Sequence, residues 1–229
     1  MKTVKLLVCT TALVAVVAVS CSQKRTIEGL SSAQIDSVSY FTGVDLGKQL
    51  RTGGFELLDL QMMLQGITDE LNNRDARYQK DSAQYVKLLH EFKLKSNIVI
   101  GSNFLANNKK SADVVELPSG LQYKMITQGN GATPAAEDTV VVHYRGTLIS
   151  GIEFDSSHKR GTTSKFALNR VITGWTEGFQ HLKEGSKAIL YIPSNLAYGE
   201  RLRAPHITPG STLIFEVELF EVRKAASPK

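Results

Sequence analysis

The sequence predicts an α+β chain in which an antiparallel β-sheet wraps over one short helix, preceded by an all-α domain of three helices, the last of them long. Three observations carry this. Between residues 38 and 108 there is no proline, and apolar residues recur at steps of three and four. After Ala112 the apolar period shortens to two, in short β-rich runs separated by glycine turns. A single helical segment, residues 175–182, interrupts those runs with Trp175, Phe179 and Leu182 on one face.

The order of elements divides the 229 residues into four parts. Residues 1–20 read as a leader: Lys2 and Lys5 are followed by the uncharged run LLVCTTALVAVVAV, too short to span hydrocarbon comfortably and the right length for a signal-peptide core. The run ends in Ala18-Val19-Ser20-Cys21, which resembles a bacterial lipobox, so a lipid on the Cys21 thiol is expected to anchor the chain to a membrane. Residues 21–37 are polar and read as a tether. In the helical part, 38–112, a first helix over 38–50 stops at Gly53-Gly54, and Leu57, Leu60, Leu64, Ile67 and Leu71 form one stripe. Residues 72–81 read as a loop. Tyr85, Leu88, Leu89, Phe92 and Val99 mark a third helix which, unbroken over 82–108, would be roughly 40 Å long, with Gly101 as its weak point. Three such stripes in so short a stretch are hard to cover alone, and a homodimer through residues 38–110 is the economical solution.

Residues 113–229 are the β-rich part. Runs at 121–125, 140–144, 188–192 and 212–219 alternate; in the last, Leu213, Phe215, Val217 and Leu219 face one way, while Ile214, Glu216 and Glu218 face the other. Gly129-Asn130-Gly131, Ser150-Gly151, Glu184-Gly185-Ser186 and Pro209-Gly210-Ser211 are the turn signals.

Composition narrows the chemistry. A net charge of +5, part of it from Lys2 and Lys5 in the leader, with no basic block, argues against a nucleic-acid partner. The two cysteines, Cys9 and Cys21, exclude a disulfide framework. There is no Gly-x-Ser-x-Gly elbow, no metal-ligand spacing among His90, His143, His158, His181 and His206, and no phosphate loop, so neither a metal nor a cofactor is expected. The β-rich part instead concentrates apolar and aromatic residues beside turns: Tyr144, Phe154 next to Asp155, Val171-Ile172 before Gly174-Trp175, Tyr198 before Gly199, Ile207 and Phe215.

The strings VHYRGTL, FDSS, FALNRVITGWTEG, LYIPSNLAYGER and STLIFEVEL occur in that order, and the chain from 117 to 222 resembles the FKBP-type peptidyl-prolyl isomerases. SYFTGVDLGKQL, MMLQGITDEL and FLANNKKSADVVELPSGLQYK resemble the helical N-terminal domain of dimeric bacterial envelope members. The resemblance implies an FKBP-like fold and an enzyme that speeds rotation about X-Pro bonds in unfolded or partly folded envelope proteins, with chaperone action. It implies that Trp175 floors the pocket, that Tyr144, Phe154, Val171, Ile172 and Phe215 wall it, and that Asp155, held by the Tyr144 hydroxyl, faces the twisting carbonyl. The Ile207 N–H and the Tyr198 hydroxyl would bind substrate carbonyls. Apart from any family, Asp155-Ser156-Ser157 carries Asx-turn chemistry able to fix the carboxylate.

Two departures stand out. Where the family commonly has an aliphatic residue and two prolines, this chain has His206, Ile207, Thr208 and Pro209; Ser164 replaces an aromatic found in some relatives. The rim is therefore more polar and gains, in His206, a group of the type that titrates near neutrality, which is expected to alter the preference for the residue before proline. The competing reading is a non-catalytic module or holdase that grips proline-containing segments without turnover.

Overall fold

A computed structural model of the chain describes residues 30–74, 82–203 and 206–225. The leader, Cys21 and most of the tether lie outside the described residues, as does the end of the loop expected before the third helix. The chain divides into two compact units, 1–44 and 45–229.

The described part of the first unit is dominated by the start of helix α1 (Ser32–Thr52), which begins inside the stretch read as tether. The cause is a capping box. The Gln34 side-chain oxygen accepts from the Ser31 N–H at 2.8 Å, and the Ser31 hydroxyl accepts from the Gln34 N–H at 3.3 Å. Polar composition masked that signal. Helix α1 stops at Gly53-Gly54 as expected, and it leaves Val38, Tyr40 and Phe41 exposed.

In the second unit, α2 (Leu60–Leu71) starts at Asp59, whose carboxylate accepts from the N–H groups of Gln61 and Met62. Its stripe residues Leu60, Leu64 and Leu71 are exposed, as is Leu57 just before it. Helix α3 (Ser82–Asn108) runs its full expected length, through Gly101 without a break. Asn108 donates to the buried side-chain oxygen of Gln122, and the Gln122 amide donates to Leu105 O.

The sheet comprises β1 (Val114–Glu116), β2 (Gln122–Thr127), β3 (Thr139–Leu148), β4 (Glu153–Ser156), β5 (Ser164–Ala167), β6 (Lys187–Ile192) and β7 (Leu213–Arg223). All pairings are antiparallel in the order β1-β2-β6-β7-β3-β4, with β5 also on β3. The strands read as alternating runs are β2, β3, β6 and β7. In β7 the buried residues are Leu213, Phe215, Val217 and Leu219, the face the alternation assigned. The three strands not foreseen are the shortest, with too few residues to display a period, and they pair only at the sheet's margins.

Helix α4 (Thr173–Phe179) is the short helix, starting before and ending earlier than the 175–182 expected. Leu182 is buried all the same, reached through the turn after α4. Trp175, Phe179 and Leu182 join Leu121, Val140, Val142, Leu168, Leu190 and Val217 in one hydrophobic core. Phe179 has no exposed surface and touches the Trp175 indole edge to face at 5.2 Å. Phe179→Ala is therefore expected to lower stability by about 3–5 kcal/mol in urea unfolding, through lost burial and the cavity left under the indole; a loss below about 1 kcal/mol would contradict this packing.

Candidate functional site

The sheet, α4 and the chain after β6 enclose a cavity of about 1180 Å3. Helix α4 and the residue before it supply its floor and one wall: Ile172 is the N-cap, and Trp175 lies in the first turns. Strand periodicity supplies the rest. Tyr144 on β3 and Phe215 on β7 point inward, Phe154 and Asp155 arrive on β4, and Phe166 on β5. Val171, Tyr198, His206 and Ile207 line it too, so every pocket residue expected from the sequence lies at this one recess.

The indole is held by ring edges. Tyr144, Phe166, Phe179 and Phe215 sit 5.1–5.3 Å from it at steep interplanar angles. Each such pair contributes about 0.5–1.5 kcal/mol beyond area burial. Trp175 is only 4% exposed, yet it lines the cavity. Among the described residues its Nε1 is the one buried side-chain polar atom without a partner, an omission that costs about 1–3 kcal/mol. The apolar setting of the floor is held in spite of that cost.

At one side the apolar lining gives way to a triangle. The Tyr144 hydroxyl donates to Asp155 Oδ2 at 2.5 Å; Arg160 donates through Nη1 to Asp155 Oδ1 at 2.5 Å and through Nη2 to the Tyr144 oxygen at 2.8 Å. Burial works against the charge on Asp155, but the Tyr144 and Arg160 hydrogen bonds outweigh it and hold the carboxyl below its ordinary value. Tyr144 is pushed up to about 12, first by burial and then by its bond to Asp155. Both carboxylate oxygens are thus engaged, and the group stays ionised with no proton to give. The Asx turn expected at Asp155 is not formed, because the Ser157 N–H it would use donates to Tyr144 O at 3.0 Å; the Ser156 N–H is only a minor influence on the carboxylate.

Among the donors lining the recess that have no partner in the described residues are the Tyr198 hydroxyl and the Ile172 N–H. The second corrects the sequence reading. The Ile207 N–H, expected to receive a substrate carbonyl, already donates to Arg203 O at 3.0 Å, and Ile207 O accepts from the Arg203 N–H at 2.8 Å. That bridge consumes the donor; the Ile207 side chain still lines the recess. The N-cap position of Ile172 is what leaves its N–H open, because the first turn of a helix has no intrahelical acceptor to offer.

Sequence reading also missed Arg160 and Phe166. Phe166 could have been found from its alternation with Ser164 on a strand, but the run is four residues long. Arg160 lies in the turn after Asp155, and only the folded β3–β4 pair brings it against Tyr144. Arg170, Arg201 and Arg203 stand at the mouth, with the Arg203 guanidinium over the Tyr198 ring at 5.2 Å. His143 lies outside the recess, stacked on His158 at 4.5 Å and bonded to Ser157. Among the described residues no three His, Cys, Asp or Glu side chains group as a metal site would require.

The arrangement can hold a small ring on the indole and meet carbonyl groups at the open donors. The Asp155 carboxylate, engaged on both oxygens, is not free to act as a base.

The signs of the two shifts define a pH window. Asp155 titrates low, so its contribution to stability is full above the ordinary carboxyl value of about 3.9 and is lost as pH falls through the lower folded value. Tyr144 titrates high, so its contribution is full below the ordinary phenol value of about 10 and is lost as pH rises through about 12. The triangle's contribution is therefore flat between about pH 5 and about pH 9. Arg160→Ala is expected to raise the Asp155 value, followed by carboxyl NMR titration; an unchanged value contradicts the assignment.

Residues 130–220 match the family model for FKBP-type peptidyl-prolyl cis-trans isomerase, and residues 35–125 match that for the domain amino terminal to FKBP-type peptidyl-prolyl isomerase. The chain is similar to an outer membrane protein MIP of Legionella longbeachae, 39% identical over 83% of this chain and 87% of the relative. It is also similar to the FKBP-type 22 kDa peptidyl-prolyl cis-trans isomerase of Escherichia coli, 40% identical over 80% of this chain and 93% of the relative. Among solved structures, FkpA from Escherichia coli is similar with a TM-score of 0.57 at 34% identity, covering 85% of this chain and 95% of that one.

Proposed function

Because this chain belongs to the FKBP-type peptidyl-prolyl cis-trans isomerases and is itself such an enzyme, we propose that the recess over Trp175 is where it turns X-Pro bonds. The observation that carries the reading is the cup of aromatic rings over Trp175, with the Ile172 N–H and the Tyr198 hydroxyl unused beside it and the Asp155 carboxylate tied up on both oxygens. Rotation about an X-Pro amide crosses a barrier of about 18–20 kcal/mol. At the top of the barrier the amide has lost its resonance and much of its dipole. A dry pocket therefore disfavours the planar ground state more than the twisted state, and no bond need be made or broken.

In this reading the proline ring rests on Trp175, walled by Tyr144, Phe154, Val171, Ile172 and Phe215, with His206 and Ile207 at the rim. The Ile172 N–H and the Tyr198 hydroxyl hold carbonyls on either side, so that binding resists the whole peptide turning with the bond. Asp155 faces the twisting carbonyl. As resonance is lost that oxygen becomes less negative, and a fixed carboxylate nearby disfavours the planar form more than the twisted one.

The wider setting follows from the rest of the chain. The leader read over 1–20 and the likeness to an outer membrane protein MIP support a place in the bacterial cell envelope, periplasmic or surface-facing; the lipobox-like run before Cys21 supports that cysteine as the lipid-bearing residue. Exposed Val38, Tyr40, Phe41, Leu60 and Leu64 support a homodimer through residues 38–110, since apolar helix faces left open to water favour association. Clients would be unfolded or partly folded envelope proteins, gripped as well as isomerised.

The test is an isomerisation assay on the protein lacking residues 1–21. Trp175→Ala is expected to lower kcat/KM roughly ten- to a hundredfold through lost contacts to the twisted state, with Asp155→Ala also lower. A wild type that adds no rate, with both variants binding clients equally well, would make the recess a holdase grip instead.

A further inference from the structure

The long helix does more than join the two parts of the chain. Asn97, near the middle of α3, donates from Nδ2 to Thr208 Oγ1 at 2.8 Å and to Pro209 O at 2.7 Å. The segment it grips is the one that follows His206 and Ile207 at the mouth of the recess. We propose that Asn97 is a positioning residue for the isomerase site, a clamp from α3 that sets the rim against which the substrate chain lies. The proposal rests on the reading of the recess given above.

Four observations beyond the two hydrogen bonds support it. First, the gripped segment is tied onward to both sides of the mouth. Ile207 is bridged to Arg203 in both directions, and the Gly210 N–H donates to Gly199 O at 2.8 Å, beside Tyr198. A force on Thr208 and Pro209 is therefore felt at the His206–Ile207 side and at the Tyr198 side together. Second, the segment is stiff enough to transmit it: the Ser211 hydroxyl and N–H both donate to Thr208 O, closing a turn, and Gly210 supplies the φ of +78° that turn needs.

Third, helix and segment approach more closely than ordinary side chains allow. A Cβ on Gly210 would lie 2.6 Å from Leu94 O, and a Cβ on Gly101 would overlap the Thr212 hydroxyl. Gly101 looks like a weak point in sequence; in the structure it is a seat. Fourth, the contacts follow one face of the helix. Leu94, Asn97, Gly101, Phe104 and Asn108 repeat at steps of three and four, with Phe104 against Tyr191 at 5.9 Å and Asn108 on Gln122.

A physical reason connects the clamp to the unusual rim. Proline at 208 would fix its own φ and stiffen the segment without help. Threonine leaves the backbone freer and provides instead the hydroxyl that Asn97 uses. Rigidity that could have been local is supplied by a residue more than a hundred positions away.

The test uses the mature full-length protein and its one tryptophan, Trp175, whose fluorescence reports the floor of the recess. Asn97→Ala, Thr208→Val, the double variant and the control Gly66→Ala, a helix position with open space around it, are compared in two readouts. These are steady-state isomerisation of an X-Pro peptide and fluorescence titration with a non-reactive proline peptide. The clamp predicts that Asn97→Ala raises KM and Kd together by about three- to tenfold, the loss expected for one or two neutral hydrogen bonds, with kcat held within about twofold. Thr208→Val should have the smaller effect in the same direction, and the double variant should be no worse than Asn97→Ala, because both remove one interaction. Gly66→Ala should match the wild type. If Asn97→Ala does not fold, Thr208→Val, changed on the loop side alone, decides the matter by the same split.

Unchanged KM and Kd in the folded single variants, additive losses in the double, or a fall in kcat at constant KM would each overturn the clamp. A wild type in which the peptide leaves Trp175 fluorescence unmoved would bring down the reading of the recess itself, and the clamp with it. Wild-type binding that is intact while the single variants stay insensitive removes the clamp and leaves the recess standing.

Discussion

An indole held on its periphery by four aromatic edges is the constraint from which the rest of this molecule follows. Edge-to-face contact with Tyr144, Phe166, Phe179 and Phe215 fixes the plane of Trp175 without covering all of it. Those four rings come from β3, β5, α4 and β7, so the sheet must curl over the short helix to bring them together. The unpartnered Nε1 shows how strongly that packing dominates, since a buried donor without an acceptor is a cost the fold bears at this point. Around the indole, the Tyr144–Asp155–Arg160 triangle is tied up, while the Ile172 N–H and the Tyr198 hydroxyl are left without a partner beside the cavity.

This division is what lets the proposed site act by shape, since the Asp155 carboxylate is tied up on both oxygens. The triangle keeps a negative charge fixed beside the recess, and in the proposed reading the Ile172 and Tyr198 donors orient a peptide. Neither asks for a group that changes protonation during turnover. The reaction is a change of shape, and a site of fixed shape and low polarity is matched to it. The fixing depends on long-range packing: the β3–β7 register aligns Tyr144 and Phe215, and the turn after β4 returns Arg160 to the tyrosine and aspartate at once.

Much of this was legible in the residues, and what was not had specific causes. The alternation in β7 gave its buried face directly because eleven residues display a period clearly. Strands β1, β4 and β5 have three or four residues each, too few for any period, and their identity comes from the neighbour they pair with. Helix α1 starts earlier than its apolar pattern because a Ser31–Gln34 capping box, not hydrophobicity, sets its beginning. The apolar pocket residues were recognisable because side chains leave a trace in sequence. The Ile172 donor was not, since a free backbone N–H depends on what the fold leaves unpaired; the Ile207 donor failed for the same reason in reverse. Arg160 and Asn97 act on partners that only tertiary structure brings near, and Gly101, a blemish by helix propensity, owes its place to a close approach invisible along the chain.

The central claim is that rotation is eased by shape and dryness, with no proton moving in the transition state. Its most direct test is the ratio of kcat/KM in H2O and D2O, measured for one X-Pro peptide from about pH 5 to about pH 9, where Asp155 stays ionised and Tyr144 neutral. The account predicts a ratio of about one throughout. A ratio of about two or more would mean that a proton is in flight and would contradict it.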